Sequence, residues 1–250
     1  MTHLCRLSAQ KSAIIFRAAI LLLPILLLVG CASNQIKRKD GSLSGPHFSL
    51  AQLAKCDIDQ ASEFVEKEVL KSLRLLAKKL YKRNPQEFRK QGLETAEAAI
   101  ERLFGQLEHW PDSPLKDLDW RDNFKLSFIE DYPGDRVHAF MSALLTMVMA
   151  SYDHKQTFFF GDSLDAQKLY NSARNIETAV WKLSNAKTPN GQPYLLTNSV
   201  DGTVPKLSFE REFGKLIADQ DLMALIMEGR TNRVIRRVVA GAASFIFLPI

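Results

Sequence analysis

The 250-residue sequence lacks the short motifs by which several enzyme classes are recognised. It contains no Gly-rich phosphate loop, no HExxH pair and no GxSxG turn, so no motif indicates nucleotide binding, a zinc protease or an α/β-hydrolase. It has three cysteines and no CxxC pair, which leaves no signature of a thiol redox centre. Any function must therefore be inferred from other features of the chain.

Histidine, the side chain most often used for acid–base and metal chemistry near neutral pH, is scarce. Beyond the first thirty residues the histidines are His47, His109, His138 and His154. None has a second histidine at helical ligand spacing, so the sequence predicts no metal site and no cofactor. We assign no catalytic residue. The enzymatic alternative is a periplasmic hydrolase whose site joins His138 and His154 to nearby carboxylates, namely Asp153, Asp162 and Asp165.

An excess of one sign of charge is also lacking once the N-terminal segment is set aside. Of the 33 Lys and Arg residues, three lie in residues 1–30, which contain no Asp or Glu. The other 30 stand against 28 acidic residues, so the net charge of residues 31–250 is +2. This near balance gives no general attraction to polyanions, and nucleic acid is not a predicted partner.

The N-terminal segment has the parts of a secretory signal. Arg6, Lys11 and Arg17 form a basic leader, residues 18–29 are mostly apolar, and small residues surround Cys31. The sequence Leu28-Val29-Gly30-Cys31 resembles a bacterial lipobox, in which small residues precede a cysteine that is acylated when the signal peptide is removed. The resemblance covers about the first thirty residues and carries no information on the remainder of the chain.

The lipobox resemblance implies that residues 1–30 are cleaved and that Cys31 is joined to membrane lipid. Ala32 after the cysteine resembles the sorting pattern of outer-membrane lipoproteins, which implies a domain facing the periplasm. A retained membrane helix is the alternative, but the apolar run is short and contains Pro24. After processing, Cys56 would hold the one free thiol, and we predict that it is buried and inert.

Residues 31–46 are polar and rich in Gly and Ser, which predicts a flexible tether. Residues 47–250 then form a single predicted domain. Its apolar residues recur at three- and four-residue steps, which is typical of helices with one buried face. These patterns cover residues 58–80, 95–104, 137–150, 163–183, 208–228 and 231 onward. Asn84-Pro85 predicts the end of the first helix and the start of the next, and Tyr132-Pro133-Gly134-Asp135 predicts a break and cap before residue 137. We therefore predict an all-α helical bundle, with the almost wholly apolar residues 137–150 as its central helix.

Three segments are less regular. Residues 106–118 contain two prolines and predict a loop, while residues 120–132 fit a helix or a strand, with helix favoured. Residues 187–206 predict a long connection, in which Asp201-Gly202 could turn a small β-hairpin. Within the helix of residues 208–228, Leu225 and Ile226 are predicted to be buried.

Two helices contain charged residues that could contact a ligand or a partner. In the first, Arg174, Asn175 and Glu177 either line a pocket or form a solvated face or a buried ion pair, and we favour the second interpretation. In the second, Arg230, Arg233, Arg236 and Arg237 lie opposite an apolar face. Such a basic amphipathic helix either docks on its own domain, which we favour, or contacts a membrane or a partner protein.

Taken together, these features predict a lipid-anchored envelope lipoprotein with a helical scaffold or interaction domain. We favour this function over an enzymatic one. Its expected partners are membrane lipid, through acylated Cys31, and another envelope protein. Besides the hydrolase, a further alternative is a protein that binds a hydrophobic ligand between helices. That alternative predicts an apolar cavity of roughly 300 Å³ or more with a few polar groups.

Overall fold

Seven α-helices account for most of the regular structure in the described residues of the computed structural model. The model describes residues 36–37, 43–44, 57–159, 161–198 and 207–246, with side chains from residue 57 to residue 230. The helices are α1 (Asp57–Arg83), α2 (Pro85–Arg89), α3 (Ala96–Phe104), α4 (Trp120–Leu126), α5 (Arg136–Ser151), α6 (Ala166–Asn185) and α7 (Ser208–Ile246). The predicted all-α class is confirmed.

The chain divides into two units, residues 1–52 and 53–250. The first unit contains two short strands, β1 (Ile36–Lys37) and β2 (Leu43–Ser44), which pair antiparallel within the segment predicted as a tether. The predicted signal peptide, Cys31 and Cys56 all lie outside the described residues. All seven helices belong to the second unit, which therefore contains the helical bundle.

Helix α5 lies at the centre of the bundle, as its sequence predicts. Fourteen of its sixteen residues are buried. Asp135 stands directly before the helix, and its carboxylate accepts a hydrogen bond from the backbone N–H of His138 (2.9 Å) and another from the Tyr81 hydroxyl (2.9 Å). This N-cap satisfies a backbone donor that would otherwise be unpaired at the buried end of the helix. The predicted break before residue 137 thus fixes where the core helix starts.

Helix α1 packs its predicted apolar stripe into the core, where Val69, Leu73, Leu76 and Leu80 are fully buried. It ends at Arg83, and the side-chain amide of the next residue, Asn84, donates to the carbonyl of Leu80 (2.9 Å). Pro85 then begins α2, because proline has no N–H to leave unpaired in a first helical turn. The predicted boundary between these two helices is correct.

Several other boundaries differ from those predicted. Most of the first half of the predicted loop at residues 106–118 belongs to a 3-10 helix, Gly105–Asp112. Helix α6 begins at Ala166, because the Asp165 side chain accepts the N–H groups of Gln167 and Lys168 and so caps the helix there. The ambiguous segment is helical only over Trp120–Leu126.

The last two predicted helices form one continuous helix, α7, of 39 residues. A single glycine, Gly229, stands between the two predicted segments, and it costs an α-helix only about 1 kcal/mol relative to alanine. In the long connection before α7, Lys187 and Pro193 form an isolated antiparallel bridge. The predicted turn at Asp201-Gly202 lies outside the described residues. Across the helices that the structure describes, none has the length and apolar character needed to cross a bilayer.

Candidate functional site

Helix α6 separates two clefts in the surface of the bundle. The first, here called the α6–α7 cleft, lies between the N-terminal half of α6 and α7 and has a volume of about 910 Å³. The second, here called the histidine cleft, lies on the side of α6 that faces α4 and the end of α5 and measures about 400 Å³. The residues that line them are the candidate functional residues of this domain.

The period of helix α6 decides which residues reach the α6–α7 cleft. Tyr170 and Arg174 are four residues apart and therefore share one face of the helix. Leu169, Ala173 and Ile176 occupy another face, where all three are fully buried in the core. The buried face holds the helix in place, and the first face is left to border the cleft.

Arg174 links the two helices that form the α6–α7 cleft. Its guanidinium lies 2.6 Å from the Asp221 carboxylate on α7 and 3.0 Å from Glu177 on its own helix, and it lies over the Tyr170 ring at 5.0 Å. Arg174 and Glu177 do form an ion pair, but their side chains are 38% and 46% exposed, so the pair is not the buried one that was predicted, and Arg174 also borders a pocket. Arg174 Nε and Asp221 Oδ1 are buried yet have no hydrogen-bond partner within the described part of the chain.

The walls of the α6–α7 cleft combine exposed apolar groups with negative charge. Tyr170 is 47% exposed and Leu225 is 64% exposed, although both are large and apolar in character. The prediction that Leu225 is buried was therefore wrong. The charged residues that line the α6–α7 cleft are Arg174, Asp165, Asp221 and Glu228. One arginine against three carboxylates gives a formal charge of −2.

The histidine cleft has a different composition. Its polar lining includes Arg121 from α4, His154 from the turn after α5, and Lys168, Asn171 and Asn175 from α6. Lys168 lies 2.6 Å from the carboxylate of Asp153, which also lines the cleft. With His154 neutral, two cations and one carboxylate give a formal charge of +1.

A left-handed backbone turn places His154 in this cleft. Asp153 and His154 have φ angles of 52° and 59°, which are uncommon for residues other than glycine. The turn ends α5, since the N–H of His154 donates to the carbonyl of Met149 (2.8 Å). The cost of such conformations is of order 1 kcal/mol each, and the helix-ending hydrogen bond offsets part of it.

The ring of His154 is held in one orientation by Trp110. The indole Nε1–H donates to His154 Nδ1 (3.1 Å), and the two rings are stacked with centroids 6.0 Å apart. Because Nδ1 accepts this bond, the proton of the neutral ring lies on Nε2. Partial burial and the nearby Lys116 ammonium lower the pKa of His154. The ring is therefore neutral at pH 7 and has one N–H to donate.

His138, the other histidine of the predicted hydrolase, lies at the opposite end of α5. It occupies the first turn, where burial and Arg102 lower its pKa. At 1.5 Å per residue, His138 and the end of the helix at Ser151 are about 20 Å apart. The structure therefore does not bring His138 and His154 into one site.

The carboxylates predicted to join these histidines are engaged elsewhere. Asp162 lies 2.5 Å from the Lys155 ammonium, and Asp165 caps helix α6. Asp153 alone lies beside His154, and its carboxylate pairs with Lys168. The described residues contain no group of three or more His, Cys, Asp and Glu side chains placed to hold a metal ion.

Of the four arginines predicted to contact a membrane or partner, Arg230 is the one whose side chain is described. It lies 3.4 Å from the carboxylate of Asp59, which is 1% exposed, and so joins α7 to α1. The side chains of Arg233, Arg236 and Arg237 lie outside the described residues. The start of the basic segment thus docks on its own domain through Arg230.

Sequence reasoning missed Arg121, Asn171 and Asp221 as candidate site residues. Each is a polar residue on the exposed side of a helix, and nothing in the sequence distinguishes it from the other solvated positions. Leu225 could have been placed correctly, because it lies nine residues after the buried Leu216 and therefore half a turn away from it. A scan of protein-family models and searches of curated proteins and of solved structures found no match.

Proposed function

We propose that this protein is a lipid-anchored lipoprotein of the bacterial outer membrane whose periplasmic helical domain binds an amphipathic ligand in the α6–α7 cleft. The lipobox-like sequence ending at Cys31 supports the anchor. One structural observation carries the binding function, namely a cleft of about 910 Å³ in which exposed apolar groups flank an Arg174–Asp221 ion pair.

The size and walls of the cleft fit a small molecule. Ligand pockets in proteins commonly measure about 300–1,000 Å³ and combine apolar walls with a few polar groups. Tyr170 and Leu225 leave apolar surface in water, and covering it contributes roughly 25 cal/mol per Å². An apolar ligand body therefore has a favourable place to lie.

The charge of the cleft selects the polar end of the ligand. A formal charge of −2 favours a cation over an anion. Asp221 Oδ1 is buried without a hydrogen-bond partner among the described residues, so after a small side-chain movement an ammonium group can donate to it while Oδ2 stays paired with Arg174. The ligand class that fits is an amine with an apolar tail or ring.

Binding is tested with three probes that share one tail, dodecylamine, dodecanol and dodecyl sulfate, each kept below its aggregation concentration and followed by NMR. We expect shifts of α6 and α7 resonances with the amine, weaker shifts with the alcohol and the weakest with the sulfate. Leu225→Ala should weaken amine binding by about threefold to tenfold, as expected for a lost apolar contact of about 1 kcal/mol. Leu222→Ala is the matched control, because Leu222 is 52% exposed on the same helix and does not line the cleft. Equal effects of the two substitutions would argue against the cleft.

The anchor is tested separately. Replacement of Cys31 by serine should abolish labelling with a radioactive fatty acid and release the protein from membranes. Cys56→Ser is the matched control, since it removes a thiol outside the lipobox. Labelling that persists in Cys31→Ser would refute acylation at this residue without bearing on ligand binding.

A second candidate function is contact between the C-terminal part of α7 and the membrane or an envelope protein. The observation that favours it is the length of α7, which extends 16 residues beyond Arg230, or about 24 Å. Deletion of residues 234–250 should leave the fold intact and reduce association with anionic vesicles or with the partner. A deletion that unfolds the domain would instead show that this segment serves docking alone.

A further inference from the structure

We propose that the histidine cleft is a second binding site, specific for a small organic anion that carries a carboxylate or phosphate group. This proposal is independent of the α6–α7 cleft, because the two clefts lie on different faces of α6 and share no lining residue. It rests on the donors that converge in the cleft, on its charge and on one buried hydroxyl.

The histidine cleft offers an excess of hydrogen-bond donors. His154 presents its Nε2–H, because Trp110 already occupies Nδ1. The Asn171 side-chain oxygen accepts a bond from Gln167 (2.8 Å), which leaves its NH₂ group to donate. Arg121 adds a guanidinium whose central carbon lies over the Trp120 ring, 4.5 Å from its centroid. A ligand that matches this arrangement must be rich in acceptors.

A buried hydroxyl in the wall of the cleft supports the same conclusion. Ser172 is 2% exposed, and its Oγ has no hydrogen-bond partner among the described residues. A buried polar group left unpaired costs about 1–3 kcal/mol. An acceptor oxygen bound in the cleft would satisfy this hydroxyl after a small side-chain movement, whereas an apolar ligand would leave it unpaired.

The charge distribution favours an anion over a neutral sugar or alcohol. Arg121 and Lys168 stand against Asp153 alone, and the Lys168–Asp153 pair is tight at 2.6 Å. Arg121 is therefore the cation available to a ligand, and its planar guanidinium suits the two oxygens of a carboxylate or phosphate. His154 lines the same cleft, and its ring donates a hydrogen bond without needing to be charged.

Anion binding in the histidine cleft should also be coupled to the protonation of His154. The charged groups that face His154 are Lys116 and Asp117 from the segment before α4, Asp153 from its own turn and Lys168 from α6. A bound anion adds negative charge to this set and should raise the pKa of His154. The Trp110 N–H opposes protonation because it needs Nδ1 as an acceptor. A bound anion must therefore raise the pKa of His154 in spite of the hydrogen bond from Trp110.

The test is an NMR titration of the His154 imidazole in the full-length protein with acetate, inorganic phosphate and, as neutral control, acetamide. We expect saturable shifts at His154 and Asn171 with one or both anions, Kd values of about 1–10 mM, and no saturation with acetamide. A stronger response to acetate indicates a carboxylate ligand, and a stronger response to phosphate indicates a phosphate ligand. The absence of saturable shifts with both anions, or equal shifts with acetamide, would overturn the proposal.

Arg121→Gln provides the residue-level test, and Lys125→Gln is its matched control. Both residues are exposed cations of helix α4, but Lys125 pairs with Asp122 outside the cleft. We expect Arg121→Gln to weaken anion binding by about fivefold or more, in line with the loss of one charge-assisted hydrogen bond. Lys125→Gln should change it by less than about twofold, as expected for a screened surface charge. Equal losses in both variants would indicate general electrostatic attraction and would overturn the site.

Discussion

The two clefts beside helix α6 are close in sequence and different in chemistry. Tyr170 and Arg174 border the α6–α7 cleft, whereas the residues directly after them, Asn171 and Asn175, border the histidine cleft. Consecutive residues point about 100° apart on a helix, so one step along the chain moves a side chain from one cleft to the other. A single helix thus separates an acidic, partly apolar surface from a basic, donor-rich one.

The two clefts also differ in what holds their lining residues in position. The α6–α7 cleft is held by side chains that join two helices, above all the Arg174–Asp221 pair. The histidine cleft depends on backbone geometry, because the left-handed turn at Asp153 and His154 sets the position of the imidazole. Substitutions can therefore affect both clefts, or one and not the other, depending on which support they remove.

The substitution with the largest expected effect removes both clefts together. Ile176 is fully buried on the core face of α6, and replacing it with aspartate places a carboxylate without a partner in that core. We expect Ile176→Asp to lower the free energy of unfolding by about 4 kcal/mol or more and to abolish binding at both sites. Urea denaturation measures this effect. Thr178→Ala, on the exposed face of the same helix, should change stability by less than about 0.5 kcal/mol.

The next largest effect is on the pH dependence of the free energy of unfolding, and it comes from a buried carboxyl group. Glu66 on α1 is 1% exposed, and neither carboxyl oxygen has a hydrogen-bond partner among the described residues. Burial raises the pKa of Glu66 from 4.5 to about 8, so the folded protein favours the protonated acid. Its stabilising contribution is complete below pH 4.5 and is lost as the pH rises toward 8. The loss should be on the order of 3 kcal/mol by pH 7.

Glu66→Gln should remove most of this pH dependence, which urea denaturation at pH 5, 7 and 8.5 would measure. Burial and, after it, the charge of the same carboxylate raise the pKa of Tyr152, the residue directly before the left-handed turn. We therefore expect ionisation of Glu66 to disturb the histidine cleft more than the α6–α7 cleft. A stability curve that is equally steep in wild type and variant would contradict the assignment, and Glu68→Gln is the control, because Glu68 is an exposed carboxylate on the same helix.

The sequence predicted the core of this molecule better than its surface. The apolar run of residues 137–150 could only be a buried helix, and Asp135 was placed correctly as its break and cap. The clefts could not be predicted in the same way, because each is formed where two or more helices meet. A periodic pattern assigns a residue to a face of its own helix, and the partner of that face depends on tertiary packing. Arg174 was weighed as a pocket residue, yet its partner Asp221 is 47 residues away.

A smaller effect should show that the charges of the two clefts act independently on ligand binding. Arg174→Gln leaves the three carboxylates of the α6–α7 cleft without their arginine. We expect dodecylamine to bind about threefold to tenfold more tightly, because the positive charge of Arg174 no longer repels the ammonium group in the cleft. The cost in stability should stay below about 1 kcal/mol, since the ion pair is partly exposed. Phosphate binding in the histidine cleft, measured by the same NMR titration, should be unchanged, and a parallel change would show that the clefts are coupled.

The smallest expected change in stability comes from Asp153→Gly. Glycine adopts the left-handed conformation at φ 52° without strain, which stabilises the fold by up to about 1 kcal/mol. The substitution also removes the exposed pair with Lys168, which contributes about 0–1 kcal/mol, so the net free energy of unfolding should change little. The charge of the histidine cleft, however, rises from +1 to +2. We therefore expect phosphate to bind about twofold to fivefold more tightly, while dodecylamine binding in the α6–α7 cleft stays the same. Weaker phosphate binding would mean that the Asp153 side chain positions Lys168 or His154, and that the carboxylate matters there for geometry more than for charge.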